Sequence, residues 1–377
     1  MTPATAQDQQ TDAIRYLALD ADLSGNTREA GQTLQRGIEM ALNEINANGG
    51  VLGAELRLKL FDHRANPARG IYNVETIAKD EDVLAIIGGV HTPVALAQLP
   101  AIHENRIPYL GAWAAGTGVV ENGYSPNYVY RLSVRDEYAA PFFLKQIQNM
   151  GYKRIALLLE KTGWGLSNEK ALKSLVDQTD ITITGTHWFF WGATKADFEK
   201  HIDRIQREDA QIIILVANAT EGAAFVQAMA EEEAPKEIPV LSHWGITAAD
   251  FPTFAGDAVH SIDLSFLQTW SLDQPGAEQF KSRYCALYAP CPEPFRLPAA
   301  VGLAHSYDLT LLIAEALRLN GNLSREGLVA GLQEIRNLEG VIKTYDAPFA
   351  NGNHEALSLE DIGLHRYNSN GQIVKAQ

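Results

Sequence analysis

The chain has 377 residues, 46% of them hydrophobic and 20% charged, and its 31 Lys and Arg against 46 Asp and Glu leave a formal net charge of −15. This composition excludes a collagen-like fibre, a disordered tail and a membrane bundle, and the length suits about two domains. A surface this negative, with no compact basic cluster to offset it, repels phosphate backbones and anionic lipid, so no nucleic acid and no membrane insertion is expected.

Short apolar strands alternate with amphipathic helices from the start. Ile14 to Leu19 reads as a strand that ends in the turn Leu23-Ser24-Gly25-Asn26. Between Ala30 and Asn46, Leu34, Ile38, Ala41, Leu42 and Ile45 fall on one helical face, and Gly49-Gly50 stops that helix. Leu56, Leu58 and Leu60 alternate with charged neighbours in a half-exposed strand. A helix over 67–79 leads to Val83-Leu84-Ala85-Ile86-Ile87, apolar enough for a strand buried on both faces. That apolar stretch ends at Val90 after about eight residues, short of the ~18 that a membrane-spanning helix needs. Thr92 is placed as an N-cap with Pro93 in the first helical position, and Ile107 to Leu110 follows as a strand.

The rhythm then repeats. Strands near 155–159, 181–190, 212–216 and 239–241 are separated by helices near 139–150, 167–177, 198–208 and 221–232. Such alternation implies parallel sheets with helices on both faces, hence two α/β lobes. The last third is more mixed: helices near 276–288, 299–319 and 325–334 precede strands 362–367 and 372–374, joined by the hairpin turn Asn368-Ser369-Asn370-Gly371.

The searchable catalytic motifs fail. No Gly-x-Gly-x-x-Gly follows the first strand, and neither Gly-x-x-x-x-Gly-Lys-Ser/Thr, His-Glu-x-x-His nor Gly-x-Ser-x-Gly occurs. The ten histidines are scattered, so no metal, no cofactor and no catalytic residue is expected, although an acid–base pair formed in space stays open. Cys285 and Cys291, beside Pro290, Pro292 and Pro294, form neither a redox Cys-x-x-Cys nor a zinc knuckle. Either they close a small disulfide loop, which places the chain in an oxidising compartment, or they are two free thiols; the turn cluster favours the disulfide. Residues 1–11 lack the basic start and apolar core of a secretion signal. Taken literally this says cytoplasmic, but a start Met fused to a mature secreted chain reads the same.

The run Gly37-Ile38-Glu39-Met40-Ala41-Leu42-Asn43-Glu44-Ile45-Asn46-Ala47-Asn48-Gly49-Gly50-Val51-Leu52-Gly53, after Ser24-Gly25 and before Asp62, resembles the opening of the type I periplasmic binding proteins. In particular it is similar to the leucine/isoleucine/valine-binding branch of ABC-transporter receptors. Ala85-Ile86-Ile87-Gly88-Gly89, the turn from Gly192 to Phe198, and Ser306-Tyr307-Asp308 opening a long helix extend the resemblance over nearly the whole chain. It implies two doubly wound parallel-sheet lobes joined by three crossovers, with ligand buried between them by hinge closure. The crossovers are expected near Tyr130 to Ser133, Ile262 to Phe266 and Val341 to Tyr345. Lobe one then takes 12–131 and 263–342, and lobe two takes 132–262 and 343–377.

The resemblance also assigns a site. Thr92 is the hydroxyl residue that grips a ligand carboxylate together with helix N–H groups, or a plain N-cap. His91 lines the cleft or faces solvent. In Gly111-Ala112-Trp113-Ala114-Ala115-Gly116-Thr117 the family carries small residues ending in Thr. Here Trp113 intrudes, as cleft wall or core packing, Ala114 and Ala115 belong to the ligand-facing run, and Ala115 takes the place expected of Thr117. Trp164, between Gly163 and Gly165 ahead of a helix, is the expected lid. Asn218 and Ala219 point at the cleft or cap a helix, and Tyr307 is a rim contact or interlobe packing.

Amino-acid binders of this branch carry a carboxylate near 239–241 for the ligand ammonium, but Ser242-His243-Trp244-Gly245 puts Trp244 there. A buried ammonium without a partner is costly. Trp113, Trp164 and Trp244 therefore form an expected aromatic box for a ligand with a flat or apolar body and one carboxylate, unless Glu221 or Asp308 supplies the missing charge.

The function implied is a periplasmic solute receptor of an ABC importer, its leader removed. It would capture a hydrophobic amino acid-like or aromatic carboxylate ligand, act as a monomer and dock on a membrane permease without performing chemistry. The alternatives are a ligand-sensing module of the same fold and, more remotely, an enzyme on a two-lobed scaffold.

Overall fold

Apolar runs decide where the sheets form. In the computed structural model, which describes residues 13–231 and 237–376, the first sheet comprises β1 (Ile14–Ala21), β2 (Glu55–Asp62), β3 (Val83–Gly88), β4 (Tyr109–Gly111) and β5 (Val129–Arg131). Its order is β2-β1-β3-β4-β5 and every pair is parallel. β3 is buried at every position, as its unbroken apolar sequence requires, whereas edge strand β2 leaves Glu55 and Arg57 exposed.

The second sheet takes β6 (Arg154–Glu160), β7 (Thr182–Phe189), β8 (Ile212–Val216), β9 (Val240–Ser242) and β10 (Leu264–Gln268), all parallel. After a two-stranded ribbon of β11 (Leu338–Glu339) and β12 (Thr344–Tyr345), the hairpin β13 (Gly363–Tyr367) and β14 (Ile373–Lys375) joins this sheet antiparallel, beside β10.

Helices cover both faces of each sheet. In lobe one, Leu17, Leu19 and Ala21 of β1 face α1 (Arg28–Ala47), while Ala18 faces α2 (Pro67–Ala78) and α3 (Thr92–Glu104). A short turn of helix, α4 (Thr117–Val120), follows β4. In lobe two, Ile155, Leu157 and Leu159 of β6 pack with α5 (Asp136–Asn149) and α6 (Gly163–Val176). Ala156 and Leu158 pack with α7 (Lys195–Arg207) and α8 (Ala219–Glu231), near α9 (Phe251–Ala255). The period-2 alternation of each central strand thus feeds two cores at once. The chain then returns to lobe one as α10 (Ala277–Tyr288), α11 (Ala300–Asn320) and α12 (Arg325–Leu332), with α11 lying along α1. A disulfide joins Cys285 to Cys291 just beyond α10.

The sheets correct two of the expected crossings. The run Ile262 to Phe266 is not a crossing, because β10 pairs with β9 through Leu264, Ser265 and Phe266, and the chain leaves lobe two only after Gln268. Nor does it cross back at Val341 to Tyr345. The Tyr345 hydroxyl donates to Asp308 of α11 at 2.7 Å, and Arg131 of β5 bridges to Glu355, so 343–357 stays against lobe one until just before β13. The domain bounds 262/263 and 342/343 move accordingly.

Several helix starts also differ. α3 begins at Thr92 with His91 as N-cap, α6 already at Gly163, and α8 at Ala219, while Ser306-Tyr307-Asp308 lies inside α11 rather than at its opening. The polar start 1–11 and residue 232 of the expected helix 221–232 lie outside the described residues. Among the described residues no helix is long and apolar enough to cross a membrane.

Candidate ligand-binding site

The carboxyl ends of β3, β4, β6, β8 and β9 converge between the lobes, the place where open α/β sheets leave a crevice. There they line a narrow cavity that leaves the centre of a water-sized sphere only about 10 Å³ of room. His91, Thr92, Pro93, Trp113 and Ala115 line it from lobe one, and Glu160, Trp164, Asn218, Trp244 and Gly245 from lobe two. The Trp113 and Trp244 rings meet across the gap with centroids 5.6 Å apart. An outer recess open to solvent, about 240 Å³ by the same measure, shares His91 and Asn218 with this cavity and adds Asp22, Arg64, Trp191 and Glu221.

The lobe-one wall is a loop held from behind. Arg131, fully buried, donates from Nη1 to the Ala114 and Gly116 carbonyls, both at 2.9 Å, and pairs bidentately with Glu355 at 2.8 and 2.5 Å. His305 Nδ1 donates to the Ala112 carbonyl at 2.8 Å, and burial holds that imidazole down to about 4, so it is neutral. Gly302 of α11 leaves room for the indole, since a Cβ there would sit 2.9 Å from Trp113. Thr92 Oγ1 accepts from Gly116 N–H at 3.2 Å, so the hydroxyl staples the loop rather than capping its own helix.

The lobe-two wall is a side-chain network. Asp136 Oδ1 accepts from Trp164 Nε1 at 3.2 Å and from His243 Nε2 at 3.1 Å, and His243 Nδ1 accepts from Trp244 N–H at 3.0 Å. One buried carboxylate therefore holds the Trp164 indole directly and the Trp244 main chain through His243. Gly245 has no room for a side chain, because its Cβ would lie 2.4 Å from Trp164. Asp136 N–H also donates to the Ala115 carbonyl at 3.0 Å, tying this network to the opposite wall. Ser167 Oγ accepts from Thr117 N–H at 3.0 Å, a second bond between the lobes.

Glu160 ends β6 inside the cavity and is almost fully buried. Its Oε1 accepts from Thr162 Oγ1 at 2.6 Å, and its Oε2 from Trp191 Nε1 and Asn218 Nδ2, each at 3.0 Å. Burial pushes the carboxyl up to about 7, against the pull of those donors and with help from the Glu221 charge. His91 is held down to about 4 by burial, although Asp22 works the other way. Two polar atoms of this cavity lack a partner: His91 Nδ1 and Trp113 Nε1.

The structure brings His91, Thr92, Trp113, Ala115, Trp164, Asn218 and Trp244 to one cavity and leaves three expected residues off it. Ala114 turns its carbonyl to Arg131 and packs in the lobe-one core. Ala219 is buried in the core beneath α8. Tyr307 donates to Glu44 and accepts from Arg283, on the side of α11 that meets α1. Asp308 is also remote, its carboxylate spent on the Val341 and Ile342 N–H groups and Tyr345.

The expectation that the cavity lacks an anionic partner is overturned by Glu160. Its signal was in the sequence, a lone acidic residue closing the apolar strand Ala156-Leu157-Leu158-Leu159. Arg131, Asp136 and Trp191 were missed as well. Among the described residues no group of His, Cys, Asp and Glu is arranged to hold a metal ion.

Residues 17–357 match the family described as periplasmic binding protein. The chain is 22% identical over 358 residues to the Leu/Ile/Val-binding protein homolog 3 of Brucella melitensis, covering 94% of this chain and 87% of that one. Its fold is similar to the type 1 periplasmic binding protein of Bordetella pertussis Tohama I, with a TM-score of 0.83 at 20% identity over 96% and 99% of the two chains. It is also similar to a solute-binding protein from R. palustris solved in complex with 4-hydroxybenzoate, with a TM-score of 0.81 at 18% identity over 97% and 96%.

Proposed function

Because the chain belongs to the periplasmic binding protein family, we propose that it is the extracytoplasmic solute-binding receptor of an ABC importer. It captures a small organic ligand with a flat or apolar body between Trp113, Trp164 and Trp244. The observation that carries this reading is a cavity lined by six residues of lobe one and five of lobe two. A ligand in it touches both walls only when the lobes are together, so its binding energy favours the closed form. The closed protomer, acting as a monomer, then presents itself to a membrane permease. No bond of the ligand is made or broken.

Relatives bracket the ligand's chemistry, one named for branched-chain amino acids and one holding an aromatic carboxylate. Indole walls suit both bodies. Calorimetry against hydrophobic amino acids and aromatic acids, paired with small-angle scattering, tests the reading. The expected result is saturable binding of one class together with a fall in radius of gyration. Binding that leaves the radius unchanged would overturn capture by closure.

A further inference from the structure

We propose that Gln268 and Thr269, the residues at which the chain leaves lobe two, are positioning residues that hold one cleft wall each and so couple the ligand seat to the angle between the lobes. The inference rests on the receptor reading above and adds the part of the hinge that senses the ligand.

Neither side chain lines the cavity, and each reaches a wall through one intermediary. Thr269 Oγ1 lies 2.7 Å from His305 Nε2, while His305 Nδ1 lies 2.8 Å from the Ala112 carbonyl. A carbonyl only accepts, so the proton of this neutral imidazole sits on Nδ1, and the Thr269 hydroxyl donates to the bare Nε2. Ala112 immediately precedes Trp113, so this branch ends at the lobe-one wall. On the other branch Thr247 Oγ1 gives its proton to the Trp244 carbonyl at 2.7 Å and accepts from Gln268 Nε2 at 2.8 Å. That branch ends at the lobe-two wall.

All four side chains are buried, Thr269 being the most open at 4%. Where no water competes, such bonds fix position. Gln268 ends β10 and the next helix begins only at Ala277, which leaves a stretch where the chain can turn, as hinges do at the ends of elements. Gln268 is also paired with Gly363, the first residue of β13, so the third crossing re-enters lobe two against the same residue. Two adjacent residues thus answer to opposite lobes. Rotation of the backbone between them changes the spacing of the Ala112 and Trp244 carbonyls. Conversely, a ligand that sets the spacing of the Trp113 and Trp244 rings, 5.6 Å apart here, sets the torsion of the crossing. The His305 ring lies 5.5 Å from that of Trp244, so the two branches meet again at the cleft.

Calorimetry and small-angle scattering on the full chain test this with leucine, phenylalanine and 4-hydroxybenzoate as probes. Thr269→Val keeps the shape of the side chain and removes the donor. It should weaken binding of whichever probe the parent chain takes up by about 10-fold and, at saturating probe, shrink the fall in radius of gyration. Thr269→Ser keeps the donor and should restore both to within about twofold of the parent. Gln268→Met cuts the other branch and should reproduce the valine result, and it carries the test if Thr269→Val does not fold. A hydroxyl that merely supports the fold would lower the melting temperature and leave the contraction at saturation at its parental size. That result, or parental affinity in both Thr269→Val and Gln268→Met, would overturn the coupling and leave the receptor reading standing. A parent chain that responds to none of the three probes would overturn both.

Discussion

The two walls of the cleft are built by opposite means. On the lobe-one side a charged side chain, Arg131, grips main-chain carbonyls and leaves the loop's own surface apolar, so the wall is a fixed shape. On the lobe-two side, side chains hold side chains around Asp136, and the wall exposes a carboxylate to the cavity. The contrast separates two tasks that a receptor must perform. One wall presents a fixed apolar outline, and the other presents a buried acidic group.

Breaking the first wall should have the largest effect. Arg131→Met leaves Glu355 buried and unpaired, and chemical denaturation should show a loss of about 3–5 kcal/mol, most of it recovered in Arg131→Met/Glu355→Leu. Asp136→Ala attacks the second wall by stranding two buried donors, Trp164 Nε1 and His243 Nε2. It should cost about 1–3 kcal/mol for each, whereas Asp136→Asn, which keeps one acceptor oxygen, should cost less. Replacing Cys285 and Cys291 by Ser serves as a control remote from both walls. Opening that short loop should lower stability by about 2 kcal/mol and leave ligand affinity unchanged. Thr92→Val removes only the staple to Gly116 and should cost about 1 kcal/mol.

Titration sharpens the same contrast, because the walls respond to pH in opposite directions. Glu160 has its proton affinity raised by folding, so its favourable contribution is present in acid and lost as pH rises through about 7. The gain in melting temperature from Glu160→Gln should therefore be small at pH 5 and largest above 7. His91 has its proton affinity lowered, so its contribution is present above about 6.5 and lost as pH falls toward 4. Melting curves of His91→Phe should show a shallower acid limb than the parent protein.

Much of this architecture was legible in the residues. Period-2 and period-3.6 spacing located most strands and helices, and glycines flanking Trp164 marked an aromatic set in a tight space. What escaped was the set of contacts between distant parts of the chain. Arg131 and Glu355 are 224 positions apart, and Asp136 and His243 are 107 apart; no local pattern announces either pair. The misplaced third crossing has the same origin, since Tyr345 stays with lobe one through a bond to Asp308, 37 positions earlier. Glu160 is different. It was visible as an acid closing an apolar strand, but its meaning depended on Asn218 and Trp191 arriving beside it.

Asp136 stands five residues past the point where the chain first changes lobes, with its backbone N–H fastened to one jaw and its carboxylate to the other. Any rocking motion that spares those bonds must turn about an axis passing close to this residue. Displacement then grows with distance from it, so the jaws part least around Trp164, which is bonded to Asp136, and a solute would enter from the side away from that pivot.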